Sequence, residues 1–324
     1  MSEISIVSWN IAGGKLLSSK PEKRADVKKK LNDGLKQVIE YAHSPDFILL
    51  QEIVSFRNEN LIDVPEGYYY KPSIALDTKR QTYREKWEKF REAGGWSQDD
   101  YLALGTGILW RKDLTHCAIW DFDNAQAGND IQNEEVHLDT GLYTGDRDTE
   151  PRLAVVAHFV LNSNETPLDI FIVNLHLTTL KGEREGILER DDLGSRIRLA
   201  QIDIILNGIV SRYNQWRKQK NITRVPALWF LAGDFNCTEN SPEIAKIQRM
   251  NFLDIVPNKG SGTKGSGVPT TKATIVVDYI FAGSTYTTFN PNSVKDVISN
   301  NLVLHNITGS DHFPLYGKLE IKFD

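Results

Sequence analysis

Residues 227–236 read Ala-Leu-Trp-Phe-Leu-Ala-Gly-Asp-Phe-Asn, an apolar run that ends in a polar turn. The apolar part predicts a buried β-strand over Ala227–Ala232, because its side chains are mostly large and apolar and a glycine follows. Side chains alternate between the two faces of a strand. Phe230 therefore shares a face with Asp234 and Asn236 if the extended conformation continues past the glycine. The stretch predicts polar groups at the edge of an apolar layer.

Three further runs, residues 4–10, 47–53 and 169–177, predict strands with the same arrangement. In each, apolar residues at every second position share a face with a polar residue near the end of the strand. The predicted pairs and their polar partners are Ile4 and Ile6 with Asn10, Ile48 and Leu50 with Glu52, and Ile170 and Ile172 with Asn174 and His176. Together these strand ends predict a polar pocket at the mouth of an apolar sandwich.

Most of these polar residues also have a purely structural interpretation. Asn and Gly-Asp-Phe-Asn after strands are common turn residues, Glu52 could be a solvated strand end, and a single histidine is often structural. Asp278 is harder to explain in this way, because it lies inside an apolar run and burying an unpaired carboxylate is costly. Asp311 and His312, just before Phe-Pro, are likewise unusual for a loop that leads into a strand. All the structural interpretations would have to hold at once, so we favour a functional site.

The remaining pattern predicts an α/β layered fold. Further strands are predicted at 107–110, 153–160, 274–281 and 313–321, and helices at 23–41 and 190–219, with a weaker one at 83–92. Residues 77–104 and the acidic residues 121–150 predict loop insertions, and the Gly-, Ser- and Lys-rich residues 257–273 predict a long loop. No linker divides the sequence, so we expect one domain over residues 1–324.

Composition and charge narrow the classes of protein. The 324-residue chain is 40% hydrophobic and 25% charged, as in soluble globular proteins, and its net charge of −5 gives no global attraction to nucleic acid or membrane. No signal peptide or membrane-spanning run is evident, so we expect a cytoplasmic protein without a membrane partner. Two cysteines, Cys117 and Cys237, are too few for a disulfide scaffold. The oligomeric state stays open.

Six short motifs resemble the endonuclease/exonuclease/phosphatase superfamily, whose members include deoxyribonuclease I. They are Ser-Trp-Asn10, Leu-Gln-Glu52, Asn-Leu-His176-Leu, Gly-Asp234-Phe-Asn236, Val-Asp278-Tyr-Ile and Ser-Asp311-His312-Phe-Pro. Six motifs in the right order across nearly the whole chain make the resemblance specific. It implies a four-layered α/β sandwich, in which two mixed β-sheets pack face to face with helices outside. It also implies a single catalytic domain that hydrolyses phosphate esters with the help of a divalent metal.

The resemblance and the chemistry of the residue types imply a metal site and an activated water. Glu52 would bind Mg²⁺, for which Mn²⁺ could substitute, and Asn10 and Asp311 would complete or orient the ligand shell. Asp234 would orient or deprotonate the attacking water, and Asn236 would hold water or phosphate.

Two histidines complete the implied catalytic set. His312, oriented by Asp278, would donate a hydrogen bond or a proton to the phosphoryl group. His176 matches a second histidine, which binds phosphate or assists the leaving group.

Contacts to the substrate are predicted for two further residues. Arg152 resembles a phosphate-contacting arginine of deoxyribonuclease I, although its register differs by about one residue. Asn174 shares the predicted face that leads to the site. The glutamate that orients the second histidine in deoxyribonuclease I would fall near Leu104. The orienting residue therefore lies elsewhere, with Glu85 and Asp100 as candidates, or it is absent.

The substrate is predicted less directly, because the superfamily acts on DNA, RNA, phosphoinositides, sphingomyelin and protein–DNA adducts. Lysines of the 257–273 loop could contact phosphates, whereas the acidic residues 121–150 would repel a polyanion if they lay near the cleft. A basic group near the end of the long helix is better explained as a solvated helix end, where the helix dipole favours positive charge. These basic residues are Lys259, Lys264 and Lys272 in the loop, and Arg212, Arg217, Lys218, Lys220 and Arg224 in the helix group.

We therefore expect a Mg²⁺-dependent phosphodiesterase with a nucleic-acid substrate. The alternative is an intracellular phosphatase of a small phosphorylated molecule such as an inositol phosphate. A non-catalytic binding protein of the same fold is less expected, because Glu52, Asp234 and His312 are all present.

Overall fold

The computed structural model describes residues 2–13, 20–56, 59–77, 102–117, 133–140, 152–162, 167–180, 182–219, 227–260, 262–265, 273–283, 302–307 and 309–321. The predicted helix at 83–92 lies outside these residues, as do most of the two predicted insertions. The part of the second insertion that is described contains a strand, so that segment is not a loop throughout.

Sixteen strands and four α-helices are present in the described residues. The strands are β1 (Ser2–Asn10), β2 (Phe47–Phe56), β3 (Glu59–Asn60), β4 (Tyr68–Asp77), β5 (Leu102–Arg111), β6 (Thr115–Cys117), β7 (Glu134–His137), β8 (Leu153–Asn162), β9 (Pro167–His176), β10 (Ala227–Asp234), β11 (Phe252–Asp254), β12 (Lys264–Gly265), β13 (Ala273–Ile275), β14 (Asp278–Gly283), β15 (Leu302–Val303) and β16 (Leu315–Ile321). The helices are α1 (Pro21–Tyr41), α2 (Leu188–Asp203), α3 (Arg212–Gln219) and α4 (Pro242–Arg249).

Two seven-stranded sheets hold most of the strands. The first has the order β15-β16-β1-β2-β5-β4 with β3 beside β2, and the second has the order β11-β14-β10-β9-β8-β6 with β7 beside β8. Both sheets are mixed, because β1 runs parallel to β2 and β9 runs parallel to β10 while their other neighbours are antiparallel. In the second sheet Asp234 lies beside His176 on one neighbouring strand and beside Asp278 on the other. Polar residues from three strands thus meet at one edge.

Three apolar layers separate the sheets and helices. The two sheets pack face to face through a buried layer that includes Ile6, Leu49, Ile172 and Phe230. A second buried layer joins the first sheet to α1, and a third joins the second sheet to the long helix and α4. The expected four-layered α/β sandwich is confirmed.

The helices pack against the sheets through their apolar stripes. The stripe predicted for α1 is buried at Leu31, Leu35, Val38 and Ala42. The predicted helix at 190–219 is one continuous rod, but its middle, Ile204–Ser211, is π-helical and joins α2 to α3. None of the described helices is both long enough and apolar enough to cross a lipid bilayer.

Candidate active site

The two sheets are joined at the site by one buried amide. Asn10, the last residue of β1, donates through Nδ2 to Glu52 Oε1 and to Asp234 Oδ2, each at 3.0 Å. Its Oδ1 accepts the backbone N–H of Ala12 at 2.9 Å, which sets the direction of the amide. Asn10 therefore orients the two carboxylates toward each other across the sandwich.

Glu52 reaches the site by a route that strand alternation does not predict. Ile48 and Leu50, the predicted partners of Glu52, face the α1 layer, and it is Phe47 and Leu49 that face the second sheet. A β-bulge lies at Glu52 in the pairing of β2 with β5, and the φ angle of Glu52 is 54°. Because a bulge adds one residue, it moves the following side chain to the other face. A positive φ is costly for glutamate, and such strain is typical of functional sites.

Asn174 supports the site through hydrogen bonds to the opposite sheet. It is fully buried, and its Nδ2 donates to the carbonyl oxygens of Leu50 and Gly107 at 3.1 and 2.9 Å. Its Oδ1 accepts from Gln51 Nε2 at 2.8 Å. Every polar atom of the side chain is thus bound by the opposite sheet, and this geometry does not favour the substrate contact predicted for Asn174.

The Gly-Asp-Phe-Asn turn places the side-chain oxygen atoms of Asp234 and Asn236 at the end of β10. Asp234 Oδ1 accepts the backbone N–H of Asn236 at 2.8 Å, and Asn236 Nδ2 donates to the carbonyl of Leu177 at 2.9 Å. Asn236 Oδ1 is then buried with no hydrogen-bond partner in the described part of the chain. Gly233 is required by the close approach of β9, because a Cβ at its φ of 148° would lie 1.8 Å from the carbonyl oxygen of Leu175.

His312 forms a buried pair with Asp278. Its Nδ1 lies 2.8 Å from Asp278 Oδ2, and the same oxygen accepts the hydroxyl of Thr263 at 2.6 Å. His312 Nε2 lies 3.7 Å from Asp234 Oδ2 and has no hydrogen-bond partner among the described residues. Burial disfavours the imidazolium, but Asp278 and Asp234 outweigh it and raise the pKa of His312 above its ordinary value.

His176 has the opposite electrostatic setting. Its Nε2 lies 3.6 Å from Asp234 Oδ2 and 3.9 Å from Glu52 Oε1, while its Nδ1 lies 3.3 Å from a guanidinium nitrogen of Arg152. Burial and the charge of Arg152 lower the pKa of His176 well below its ordinary value. Arginine can only donate hydrogen bonds, so Nδ1 accepts and Nε2 carries the proton of a neutral ring.

Arg152 is therefore the residue that contacts the inner nitrogen of His176. Glu85 and Asp100, the orienting residues considered from the sequence, lie outside the described residues. Asp234 lies between two histidines whose pKa values are shifted in opposite directions. Burial opposes its charge, but the charges of His312 and Lys264 and the hydrogen bond from the Asn236 N–H hold the pKa of Asp234 below its ordinary value.

The donor atoms and the charges fit a divalent cation. Ligand atoms of Glu52, His176 and Asp234 lie within 4.8 Å of one another, and so do those of Asp234, Asp278 and His312. Four carboxylates meet here, and their oxygen atoms suit a hard cation such as Mg²⁺. The carboxylates belong to Glu52, Asp234, Asp278 and Asp311.

Two contacts at the site were not predicted from the sequence. Thr263 accepts the backbone N–H groups of Val277 and Asp278, each at 3.1 Å, while it donates to the Asp278 carboxylate, so it fixes that strand end. Arg184 donates to the carbonyl of Asn236 at 3.0 Å from the loop after β9. Neither residue belongs to a periodic pattern, and Arg184 lies 52 positions from its partner, so local sequence carries no signal for the contact.

Two of the predicted basic residues, Lys259 and Arg217, form ion pairs within the fold. Lys259 is 2% exposed, forms an ion pair with Asp254 and lies over the ring of Tyr279. Arg217 is fully buried and paired with Asp169, seven residues before His176 in β9 and thus about 23 Å along that strand. Lys259 and Arg217 stabilise the fold, because their charges are already neutralised by the carboxylates of Asp254 and Asp169. Lys272, Lys220 and Arg224 lie outside the described residues.

The model of the Endonuclease/Exonuclease/phosphatase family matches residues 7–312. The fold resembles an endonuclease/exonuclease/phosphatase family protein of Bacteroides thetaiotaomicron, with 14% identity and a TM-score of 0.53 over 98% of this chain and 95% of that one. A mannosyl-6-phosphatase of the same species shows 15% identity and a TM-score of 0.52 over 99% and 100% of the two chains. TDP2 of D. rerio, solved with a single strand DNA product, shows 17% identity and a TM-score of 0.52 over 99% and 100%. No curated protein sequence matches the chain.

Proposed function

Because the chain belongs to the endonuclease/exonuclease/phosphatase family, we propose that it is a Mg²⁺-dependent phosphodiesterase that hydrolyses nucleic acid. The observation that carries the proposal is the setting of Asp234 between two histidines of opposite electrostatic character. A charged carboxylate beside a hydrogen-bond donor on each side suits in-line attack of water on a phosphoryl group.

Asp234 and Asn236 hold the attacking water in this proposal. Both offer oxygen acceptors, since Asn236 Nδ2 is already bound to the Leu177 carbonyl. The water oxygen forms the new bond to phosphorus as one of its protons passes to the Asp234 carboxylate. The ester P–O bond then breaks, and the leaving oxygen takes a proton from solvent.

The two histidines stabilise the phosphoryl group. His312 Nε2, which has no protein partner within the described ranges, donates to a non-bridging oxygen, and Asp278 keeps the ring charged and in place. His176 donates from Nε2 on the other side of Asp234, near the ester oxygen. Mg²⁺ held by Glu52, with Asn10 and Asp311 orienting or completing its ligands, would supply charge that stabilises the phosphoryl and leaving oxygens.

A nucleic-acid substrate is supported by the single strand DNA product bound to the structurally similar D. rerio protein. The alternative substrate, a small phosphorylated molecule, is supported by the mannosyl-6-phosphatase. Its structure is as similar to this chain as that of the D. rerio protein, since both have a TM-score of 0.52. In this proposal Arg152 orients His176 through Nδ1, and Asn174 supports the fold of the site.

The test is a panel of substrates with and without Mg²⁺: supercoiled plasmid, single-stranded DNA, RNA, inositol phosphates and mannose 6-phosphate. We expect Mg²⁺-dependent cleavage of a polynucleotide, lost in Asp234→Asn and His312→Gln variants that keep the melting temperature of the native protein. Hydrolysis by both variants at the rate of the native protein would refute the assignment of the site. Activity on the small phosphates alone would refute the nucleic-acid substrate and leave the site standing.

A further inference from the structure

Lys264 is fixed next to His312 by the backbone. It pairs with Ile275 in the short β12–β13 ladder and forms an antiparallel bridge with His312. The residues on either side of Lys264 repeat the connection, since Gly265 N–H donates to the Asp311 carbonyl at 2.9 Å and Phe313 N–H donates to the Thr263 carbonyl at 2.8 Å. The position of Lys264 is thus tied to the segment that carries the catalytic histidine.

The preceding residue makes this placement rigid. Thr263 is fully buried and donates to the carboxylate that orients His312. Lys264 cannot move far from the site without breaking the hydrogen bonds of Thr263 to Asp278 and Phe313.

The ammonium group of Lys264 is available to an anion. The side chain is half-buried and forms no hydrogen bond or salt bridge with any residue that the structure describes. Because Lys264 and His312 lie opposite each other in the antiparallel bridge, their side chains leave the same face of the ladder, and the positive charge of Lys264 acts on His176, Asp234 and His312. The ammonium group of Lys259, in contrast, is not available to an anion, because it forms an ion pair with Asp254 inside the fold.

We propose that Lys264 binds a non-bridging oxygen of the scissile phosphate and so sets the affinity of the site for its substrate. The inference rests on the proposed phosphoester hydrolysis but not on the identity of the ester. A lysine ammonium suits this task, because it is a compact charge with three donors and the phosphate oxygens are strong acceptors. Since the contact is made to the ground state as well as to the transition state, its loss raises KM more than it lowers kcat.

The experiment compares Lys264→Met and Lys264→Arg with the native protein. Inorganic phosphate is used as an inhibitor, and bis(p-nitrophenyl) phosphate and the best substrate of the panel are used for kinetics. We expect Lys264→Met to raise KM and the inhibition constant of phosphate by about 10- to 100-fold, the usual loss for one hydrogen bond to a charged group. Lys264→Arg should recover most of the affinity. Lys29→Met, which removes an exposed lysine from α1, is the control of equal charge.

The outcomes separate the two proposals. Unchanged phosphate inhibition in Lys264→Met, with activity intact, refutes the role of Lys264 and leaves the proposed function standing. An effect limited to polynucleotides also refutes it, because Lys264 would then contact a neighbouring phosphate. Weaker phosphate inhibition in a protein that cleaves only small phosphates supports Lys264 and refutes the nucleic-acid substrate.

Discussion

Replacing Asp278 by asparagine tests the charge on which the His312 pair depends. Thr263 and His312 both donate to Asp278 Oδ2, and the acceptor positions of the Thr263 hydroxyl are taken by two backbone N–H groups. The amide oxygen of asparagine must therefore occupy the Oδ2 position, and the hydrogen bond to His312 is kept. The substitution removes the negative charge and preserves the geometry.

The magnitude follows from the distance. A carboxylate 2.8 Å from an imidazolium stabilises it by about 6 kcal/mol at an effective dielectric constant of about 20, and the retained hydrogen bond offsets part of that loss. Positioned acid–base groups contribute about 10²- to 10⁴-fold in rate, or about 2.7 to 5.4 kcal/mol. We expect Asp278→Asn to lower kcat by a factor within this range.

The assay is hydrolysis of bis(p-nitrophenyl) phosphate at saturating MgCl₂, with the melting temperature measured in parallel. Asp169→Asn is the control, because Asp169 is also buried and paired with a histidine, His158, at 3.1 Å, and its further ion pair with Arg217 makes it the more destabilising substitution. It should lower the melting temperature but leave kcat within about threefold of the native value. A kcat for Asp278→Asn that is no lower than that of the control would show that the carboxylate only supports the fold.

Three further results are expected. Gly233→Ala should cost more than about 3 kcal/mol in urea unfolding, because the new Cβ would meet the Leu175 carbonyl; a loss below about 1 kcal/mol would contradict that contact. Burial lowers the pKa of His116 to about 4, below the unfolded value of about 6.5, so the unfolded state gains its proton first as pH falls. Stability should then drop by about 3 kcal/mol more between pH 7 and pH 4 in the native protein than in His116→Phe, and equal pH profiles would contradict the burial argument. MgCl₂ should raise the melting temperature of the native protein and not that of Glu52→Gln, and removal of the ion with EDTA should reverse the rise; equal shifts would place the ion elsewhere.

Alternation along single strands was sufficient to place part of the site. For Asn10, His176 and Asp234 the predicted inner faces are the faces that lie between the sheets, because these strands stay regular up to their last residue. The six motifs also predicted the family and the four-layered fold, since both depend on the order of residues along the chain. The predicted single domain and the catalytic roles stay predictions.

Only the tertiary structure decided those side-chain orientations and contacts that depend on irregular backbone or on partners distant in sequence. The bulge at Glu52 moves the side chain of this predicted metal ligand to the other face of the sheet, and two-residue periodicity gives no sign of it. Three placements join segments far apart in sequence. They are the Arg152 contact that sets the proton position on His176, the burial of Asn174 between the sheets, and the bridge that holds Lys264 beside His312. Local sequence determines which side chains a strand end can present, whereas the charge and hydrogen-bond partners of each depend on neighbours that only the folded chain brings together.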